Sequence, residues 1–177
     1  MTRQLSLQLI VWLLWVLASA VGGAYFGAMT NNADIFGQTF MPGLIVGVAQ
    51  WLVLRRHLPN AGWWIPASAL GWILGSFVLA TIYGIIDPIL RIRPSWILSL
   101  VGMGTVYGAV LGAAQWLVLR GHTQHAGWWV FVSVVGGAVS WAVVPPALIP
   151  FGDTLTNGAI WAVHGAVTGM ALVWLLL

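Results

Sequence analysis

The chain contains no lysine, no glutamate and no cysteine, and its 177 residues include only six arginines and three aspartates. Charged residues make up 5% of the sequence, against about 25% in a typical soluble domain. So few charges cannot cover the surface of a soluble fold, and the net charge of +3 therefore does not indicate nucleic-acid binding. The lack of cysteine excludes disulfides and thiolate metal sites.

Apolar residues and tryptophan are abundant, at 60% of the chain and 13 copies. A bilayer core about 30 Å thick needs about 20 helical residues to cross it. Six stretches meet this requirement: 5–29, 35–54, 62–86, 95–119, 127–148 and 156–177. We therefore predict an all-α polytopic membrane protein with six transmembrane helices in one domain, 1–177. Its tryptophans are expected at the membrane interfaces, where indoles lie at headgroup level.

An internal repeat is the strongest pattern in the chain. The segment Gln-Trp-Leu-Val-Leu-Arg at 50–55 recurs at 115–120, and Ala-Gly-Trp-Trp at 61–64 recurs at 126–129 in the same register. A fainter third copy follows, since the odd-numbered stretches share Trp-x3-Ser-x2-Gly, the even-numbered ones share Gly-x3-Gly, and one aspartate lies between each odd and even stretch. The repeating unit is therefore a two-helix hairpin.

Each unit crosses the membrane twice, so the copies are predicted to be parallel. We expect three hairpin repeats, at about 1–57, 58–122 and 123–177, arranged around a pseudo-threefold axis along the membrane normal. The first stretch follows Arg3 and contains Ala-Ser-Ala at 18–20, as a secretory signal would. Because it belongs to the repeat, we expect it to be a retained helix.

The block Gly-x3-Gly-x2-Gln-Trp-Leu-Val-Leu-Arg followed by Gly-Trp-Trp covers mainly 43–75 and 108–140. It resembles uncharacterised bacterial multi-pass membrane proteins, and the resemblance implies no activity. We expect the bacterial inner (plasma) membrane. Arginine counts predict that both termini are cytoplasmic, because four arginines lie on the side of the termini and two on the other: Arg3, Arg55, Arg56 and Arg120 against Arg91 and Arg93.

Small and polar residues share one face of the even-numbered helices, since positions i, i+4 and i+7 align. In chain order they are Gly43, Gly47 and Gln50, then Gly108, Gly112 and Gln115, then Gly165 and Gly169 with Leu172 in place of glutamine. Helix packing is the favoured interpretation, because small residues allow close approach and an amide bonds across the interface. The alternative is a glutamine-lined cavity, but no ring of three glutamines exists.

The three aspartates lie between the apolar stretches, where helix capping or solvation explains them best. The alternative is that symmetry gathers them at one polar mouth together with two arginines. That mouth would consist of Asp34, Asp87, Asp153, Arg91 and Arg93.

Two sets of histidines differ in position. His57, His122 and His125 lie near helix ends, where they complement the helix dipole; a metal site is the weaker reading because no fourth ligand is evident. His164 lies within the sixth stretch beside Gly165. An ionisable residue inside a membrane is a functional candidate, and the alternatives are a hydrogen bond to a neighbouring helix and ligation of a haem or pigment.

Catalytic motifs are missing from the sequence, which has no His-Glu-x2-His, Gly-x-Ser-x-Gly or phosphate-binding loop. We therefore expect no enzyme. The first hypothesis is an accessory or scaffold subunit whose partners are the lipid bilayer and another membrane protein or a second copy. The others are a small-solute transporter or channel with the polar mouth, and a haem- or pigment-binding protein centred on His164.

Overall fold

The computed structural model describes residues 2–30, 35–86, 89, 95–148 and 151–176. These residues form helices and turns, with no β-strand among them, so the prediction of an all-α protein with six main helices is confirmed. The helices are α1 (Thr2–Thr30), α2 (Ile35–Leu54), α3 (Trp64–Thr81), α4 (Trp96–Leu119), α5 (Trp128–Leu148) and α6 (Asp153–Leu176).

Several of these helices suit a bilayer. Among the described residues, four segments are long and apolar enough to cross a membrane: Gln4–Met29, Ala61–Ile85, Trp96–Leu119 and Asp153–Leu176. The remaining helices, α2 and α5, contain shorter apolar stretches, Thr39–Leu54 and Trp128–Val144. Length and composition therefore indicate a membrane protein.

The third helix is less regular than the sequence predicts. A 3-10 turn, Ala61–Trp63, leads into α3, and the five residues Ile82–Ile86 continue it as a π-helical turn. After Pro94 the chain is extended at Ser95, whose side chain accepts a hydrogen bond from the Leu98 amide and caps α4. This cap agrees with the predicted start of the fourth stretch at 95.

The sixth helix begins three residues before the predicted start at 156. Gly152, with φ of 94°, turns the chain immediately before Asp153. The hydroxyl of Thr156 then donates to the carbonyl of Gly152 at 2.9 Å. Thr156 therefore lies inside the first turn and fastens it, and Asp153 occupies the start of the helix.

The six helices close into a ring. Consecutive helices pack side by side, and α6 packs against α1. Residues from the first half of each odd helix and the last part of each even helix meet in one buried cluster: Trp15, Leu54, Trp64, Leu119, Trp129 and Leu172. Consecutive helices are therefore antiparallel. We refer to the end of the bundle nearer this cluster, where α1 begins and α6 ends, as the N/C end, and to the opposite end, where α6 begins, as the far end.

Candidate functional site

Two of the predicted packing glycines lie against serines of the next helix. A Cβ atom added at Gly47 of α2 would lie 2.9 Å from Cβ of Ser68 on α3, and one at Gly112 of α4 would lie 2.7 Å from Cβ of Ser133 on α5. Real Cβ atoms essentially never approach within 3.0 Å. Any larger residue would force these helices apart.

One turn earlier, the glycines of the same helices meet backbone. A Cβ atom at Gly43 would lie 2.5 Å from the carbonyl oxygen of Ser68, and one at Gly108 would overlap the carbonyl of Ser133. Backbone cannot move aside as a flexible side chain can. These two positions therefore tolerate only glycine at the present helix separation.

The glycine pair of α6 faces α1. A Cβ atom at Gly165 would lie 2.8 Å from Cβ of Ser19, which repeats the glycine–serine contact seen on α2 and α4. At Gly169 the neighbours are instead the indoles of Trp12 and Trp15, each 3.0 Å away. This contact involves side chains only and is less restrictive.

The side chain of Gln50 joins three helices. It is buried, with 2% exposed. Its Nε2 donates to Oγ of Ser19 on α1 at 3.1 Å, and its Oε1 accepts from Nε1 of Trp64 on α3 at 3.0 Å. Both ends of the amide are therefore satisfied inside the bundle.

The second predicted glutamine forms the same bridge one repeat later. Nε2 of Gln115 donates to Oγ of Ser68 at 2.9 Å, and its Oε1 accepts from Nε1 of Trp129 at 3.1 Å. A buried amide with both ends bonded adds direction to packing that apolar contacts leave unspecified. The two glutamines fasten helices together and do not line an open channel.

The junction that closes the ring lacks a glutamine and uses a threonine. Leu172 is buried at the equivalent position. Nε1 of Trp15 donates to Oγ1 of Thr168 at 3.1 Å, and that hydroxyl donates to the carbonyl of His164 at 2.9 Å. The buried hydroxyl of Ser133 has no hydrogen-bond partner among the described residues.

The three tryptophans served by these bonds fill the axis near the N/C end. Trp15, Trp64 and Trp129 are 0–1% exposed. Their ring centroids are 5.4–5.9 Å apart and their planes cross at 72–81°, the edge-to-face geometry that aromatic rings prefer. The prediction that the tryptophans lie at the interface is wrong for these three, although Trp63 and Trp128 are indeed exposed.

The tryptophans of this layer and the serines beside them were not among the site residues predicted from the sequence. A signal for it exists in the sequence, namely the Trp-x3-Ser spacing that recurs in all three odd helices. Residues i and i+4 of a helix lie on one face, so a repeated tryptophan and serine must face the same neighbour. Interfacial tryptophans have no reason to keep that register.

A cavity of about 20 Å³ lies toward the far end, among residues of α3, α4, α5 and α6. Its wall includes Trp72, Tyr107, Ser140, Asn157, Trp161 and His164. A space of at least about 10–15 Å³ holds one water molecule. This cavity is therefore close to the size of a single water.

His164 is buried beside this cavity. The backbone of Gly136 is its hydrogen-bond partner, and its ring centroid is 5.6 Å from that of Trp161. A haem or chlorin placed on this imidazole would need an open face the width of a macrocycle. The helices leave room for about one water, so the residues around His164 do not fit such a group.

Aromatic rings dominate the remaining wall of the cavity. Trp72 and Tyr107 stack with centroids 4.1 Å apart, and the Tyr107 hydroxyl lies 3.0 Å from Oγ of Ser76. Nε1 of Trp72 is buried without a hydrogen-bond partner among the described residues. This layer thus contains one buried donor that the described residues leave unpaired.

Four of the five residues proposed for the polar mouth, Asp34, Asp87, Arg91 and Arg93, lie outside the described residues. Asp153 is described and is exposed in the first turn of α6. A carboxylate at that position interacts favourably with the positive end of the helix dipole. The mouth itself remains a prediction.

The histidines near the helix ends cap carbonyl groups. Nδ1 of His57 lies 3.1 Å from the Val53 carbonyl oxygen, and Nδ1 of His122 lies 2.9 Å from that of Val118. His125 is exposed in the turn before α5. In the part of the chain that the structure describes, no three potential ligands are grouped as a metal site would require.

No protein-family model, no curated protein and no solved structure matches this chain. A functional assignment therefore depends on the residues and contacts described above.

Proposed function

We propose that the chain is an accessory or scaffold subunit of a larger assembly in a bacterial plasma membrane, without catalytic machinery of its own. Its six helices would all cross the membrane as three hairpin repeats around a pseudo-threefold axis. The observation that favours this role is the filling of that axis by Trp15, Trp64 and Trp129.

Equivalent contacts at successive junctions support the repeat. Glycine of an even helix meets serine of an odd helix at Gly47, Gly112 and Gly165. The bridges made by Gln50 and Gln115 join corresponding atoms. A threefold repeat would produce the glycine–serine contact three times, and the glutamine bridge is present in two of the three units.

The closed axis argues against continuous conduction. A solute moving along the ring would have to displace three indoles that are packed edge to face and hydrogen bonded through their nitrogens. The three indole nitrogens of this layer are therefore engaged within the bundle and are not turned toward a pathway. Since such an interior does not conduct solutes, we propose that the chain acts by binding other molecules within the membrane.

The outer surface is suited to that activity. Large apolar side chains that are more than half exposed occur on several helices, among them Leu17, Phe77, Phe131 and Met170. In a bilayer such a surface contacts acyl chains or the helices of another protein. We propose that one face of the ring binds a membrane-protein partner or a second copy of the chain.

Photo-crosslinking in native membranes tests this proposal. A photoreactive residue is placed in turn at Leu17, Phe77, Phe131 and Met170, and at buried Trp129 as the control. We expect one or two adjacent positions to give a protein adduct of fixed mass while the others react with lipid. Lipid adducts alone at every outer position, together with a monomeric purified protein, would refute the scaffold role.

Orientation can be tested separately. We propose that the N/C end faces the cytoplasm, because that side holds Arg3, Arg55, Arg56 and Arg120 in the predicted topology. A reporter fused after Leu177 should then be active only if it functions in the cytoplasm. Activity of a periplasm-dependent reporter at that site would reverse the orientation.

A small-solute transporter or channel is the second candidate, and the cavity near the far end favours it. His164 and Trp72 line it, Nε1 of Trp72 is unpaired among the described residues, and the predicted polar mouth would lie outside it. Alanine at Asp34, Asp87 and Asp153 together is the test. Loss of solute uptake with an intact fold would replace the scaffold proposal with this one.

A further inference from the structure

Two grooves run along the outside of the bundle toward the N/C end. Groove 1, between α1 and α2, has a volume of about 540 Å³, and groove 2, between α3 and α4, has a volume of about 560 Å³. Both fall within the range of about 300–1,000 Å³ that is typical of ligand pockets. Groove 1 is walled by residues such as Ile10, Leu14 and Leu52, and groove 2 by residues such as Leu70, Leu74 and Leu117.

Basic residues lie at one end of each groove. Arg55, Arg56 and His57 line groove 1, and Arg120 and His122 line groove 2. These positions follow the last turns of α2 and α4, where an apolar helix ends. An elongated apolar trough that ends in guanidinium groups matches a molecule with a hydrocarbon chain and an anionic head.

The geometry points to two binding sites for anionic phospholipids, one in each groove. An acyl chain lies along the apolar wall, and the phosphate bonds to Arg55 and Arg56 in groove 1 or to Arg120 in groove 2. Basic pockets between transmembrane helices recognise phospholipid headgroups by this chemistry. The inference requires only that the chain lies in a membrane, and it holds whether the protein is a scaffold or a transporter.

Neighbouring rings hold the arginines in place. The guanidinium carbon of Arg55 lies 5.3 Å from the ring centroid of Trp51, and that of Arg120 lies 5.5 Å from the ring of Trp116. Such cation–π contacts leave the guanidinium edge available for hydrogen bonds. The nearby histidines, through Nδ1, already serve the last-turn carbonyl groups.

Among the described residues, the acidic charge is remote from these sites. Asp153, the acidic residue that the structure describes, begins α6 at the far end. The carboxyl end of a helix repels an anion by its dipole. A phosphate at the end of α2 or α4 therefore depends on the arginines.

A third groove provides an internal control. It lies between α5 and α6, has a volume of about 380 Å³, and is walled by Trp128, Val132, Val167, Met170, Ala171 and Trp174, with no arginine. In the repeat register, Leu177 stands where Arg55 and Arg120 stand in the other copies. This groove should accept acyl chains without preference for charge, so the chain should retain two anionic lipids and not three.

Native mass spectrometry of the full-length protein tests the count. The protein is purified in mild detergent and supplied with phosphatidylglycerol or phosphatidylcholine of the same acyl chains. We expect two retained molecules of phosphatidylglycerol and weaker retention of phosphatidylcholine. Equal retention of the two lipids by the wild-type protein would overturn the proposal.

Variants identify the sites. Arg120→Gln should weaken retention of one of the two lipids, and Arg55→Gln with Arg56→Gln should weaken retention of the other, with affinity falling about fivefold for each arginine lost. Arg120→Lys, which keeps the charge, should retain its lipid and shows that loss is not caused by misfolding. Unchanged retention in the glutamine variants would contradict the assignment.

A final comparison distinguishes a lipid from a free anion. Leu117→Trp fills part of groove 2 at an exposed position and leaves Arg120 unchanged. We expect this variant to lose the same lipid as Arg120→Gln, and we expect millimolar inorganic phosphate not to displace it from the wild-type protein. Displacement by phosphate, or full retention in Leu117→Trp, would mean that the arginines bind free anions without the groove.

Discussion

The α2–α3 junction and the α6–α1 junction contain the same glycine–serine contact but satisfy the tryptophan beside it in different ways. At the first, Trp64 donates to the amide of Gln50. At the second, Trp15 donates to the hydroxyl of Thr168. The glutamine also donates from its amide Nε2 to a second helix. The threonine hydroxyl donates its one hydrogen to a carbonyl group of its own helix.

The difference leaves one group unpaired. In the third repeat nothing replaces the glutamine amino group, and the hydroxyl of Ser133 on α5 is without a partner among the described residues. An unsatisfied buried hydroxyl costs about 1–3 kcal/mol. Trp12 adds a compensating bond, since its Nε1 donates to the carbonyl of Ala166 at 2.9 Å.

This comparison distinguishes the role of the glycine–serine contact from that of the glutamine bridge. Close packing of glycine on serine occurs where each even helix meets the next odd helix, at α2–α3, α4–α5 and α6–α1. The glutamine bridge is made by α2 and α4 and not by α6. The ring closes without a third glutamine. The amides therefore reinforce helix packing. The feature that recurs in all three repeats is the glycine–serine contact, and no symmetric polar pore recurs with it among the described residues.

Trp64→Ala should have the largest effect on stability. The change removes one of the three indoles of the tryptophan layer and leaves Oε1 of Gln50 unpaired, so we expect a loss of about 3–5 kcal/mol. Unfolding in mixed micelles, followed by circular dichroism, measures it. The adjacent Trp63→Ala removes an indole that is exposed and should cost less than about 0.5 kcal/mol; equal effects would contradict the layer.

Gln115→Leu tests the bridge itself. It removes the partners of Ser68 and Trp129 together, and each group left unpaired costs about 1–3 kcal/mol. Gln124→Leu, in an exposed turn, is the matched control for the same change of side chain. If the two variants unfold alike, the amide contributes nothing to the junction.

Gly108→Ala and Gly169→Ala compare the two kinds of glycine contact. At Gly108 the added methyl meets the backbone of Ser133, whereas at Gly169 it meets two indole side chains that can adjust. We expect Gly108→Ala to cost about 1–3 kcal/mol and Gly169→Ala clearly less. The same unfolding assay decides, and the reverse order would show that the helices are spaced differently from the structure.

Leu172→Gln should have the smallest effect and the opposite sign. The new amide can donate to Ser133 and give the ring-closing junction the bridge of the other two, for a gain of about 0.6 kcal/mol. In a Thr168→Val background the gain should be larger, because the amide also replaces the lost acceptor of Trp15. A double-mutant cycle measures this coupling, and a loss of stability in both backgrounds would break the proposed equivalence of Leu172 with Gln50 and Gln115.

The sequence predicts the helices well because each is an apolar run close to the thickness of a bilayer. The observed α2 ends at Leu54, as predicted, and α4 begins at Trp96, one residue after the predicted start at 95. The π-helical turn Ile82–Ile86 was not predictable, since nothing in its composition distinguishes it from the regular helix before it. Such irregularity depends on packing against neighbours that a local pattern does not contain.

The site was predicted in part. The glycines and both glutamines were identified because spacing alone places them on one helix face. The tryptophan layer was missed because the composition of a membrane protein favours interfacial indoles, and burial of Trp64 beside exposed Trp63 is decided by rotation about the helix axis. Thr168 was missed because it replaces a glutamine from one turn away, so no aligned position shows the exchange.

Closure of the axis is the central claim, and osmotic shrinkage of proteoliposomes tests it most directly. Purified wild-type protein is reconstituted and challenged with urea, glycerol and potassium chloride gradients in stopped-flow light scattering. Because Trp15, Trp64 and Trp129 fill the ring, the vesicles should respond at the rate of protein-free liposomes for every solute. Passage of any of these solutes faster than through empty liposomes, in proportion to the amount of wild-type protein, would contradict a closed axis.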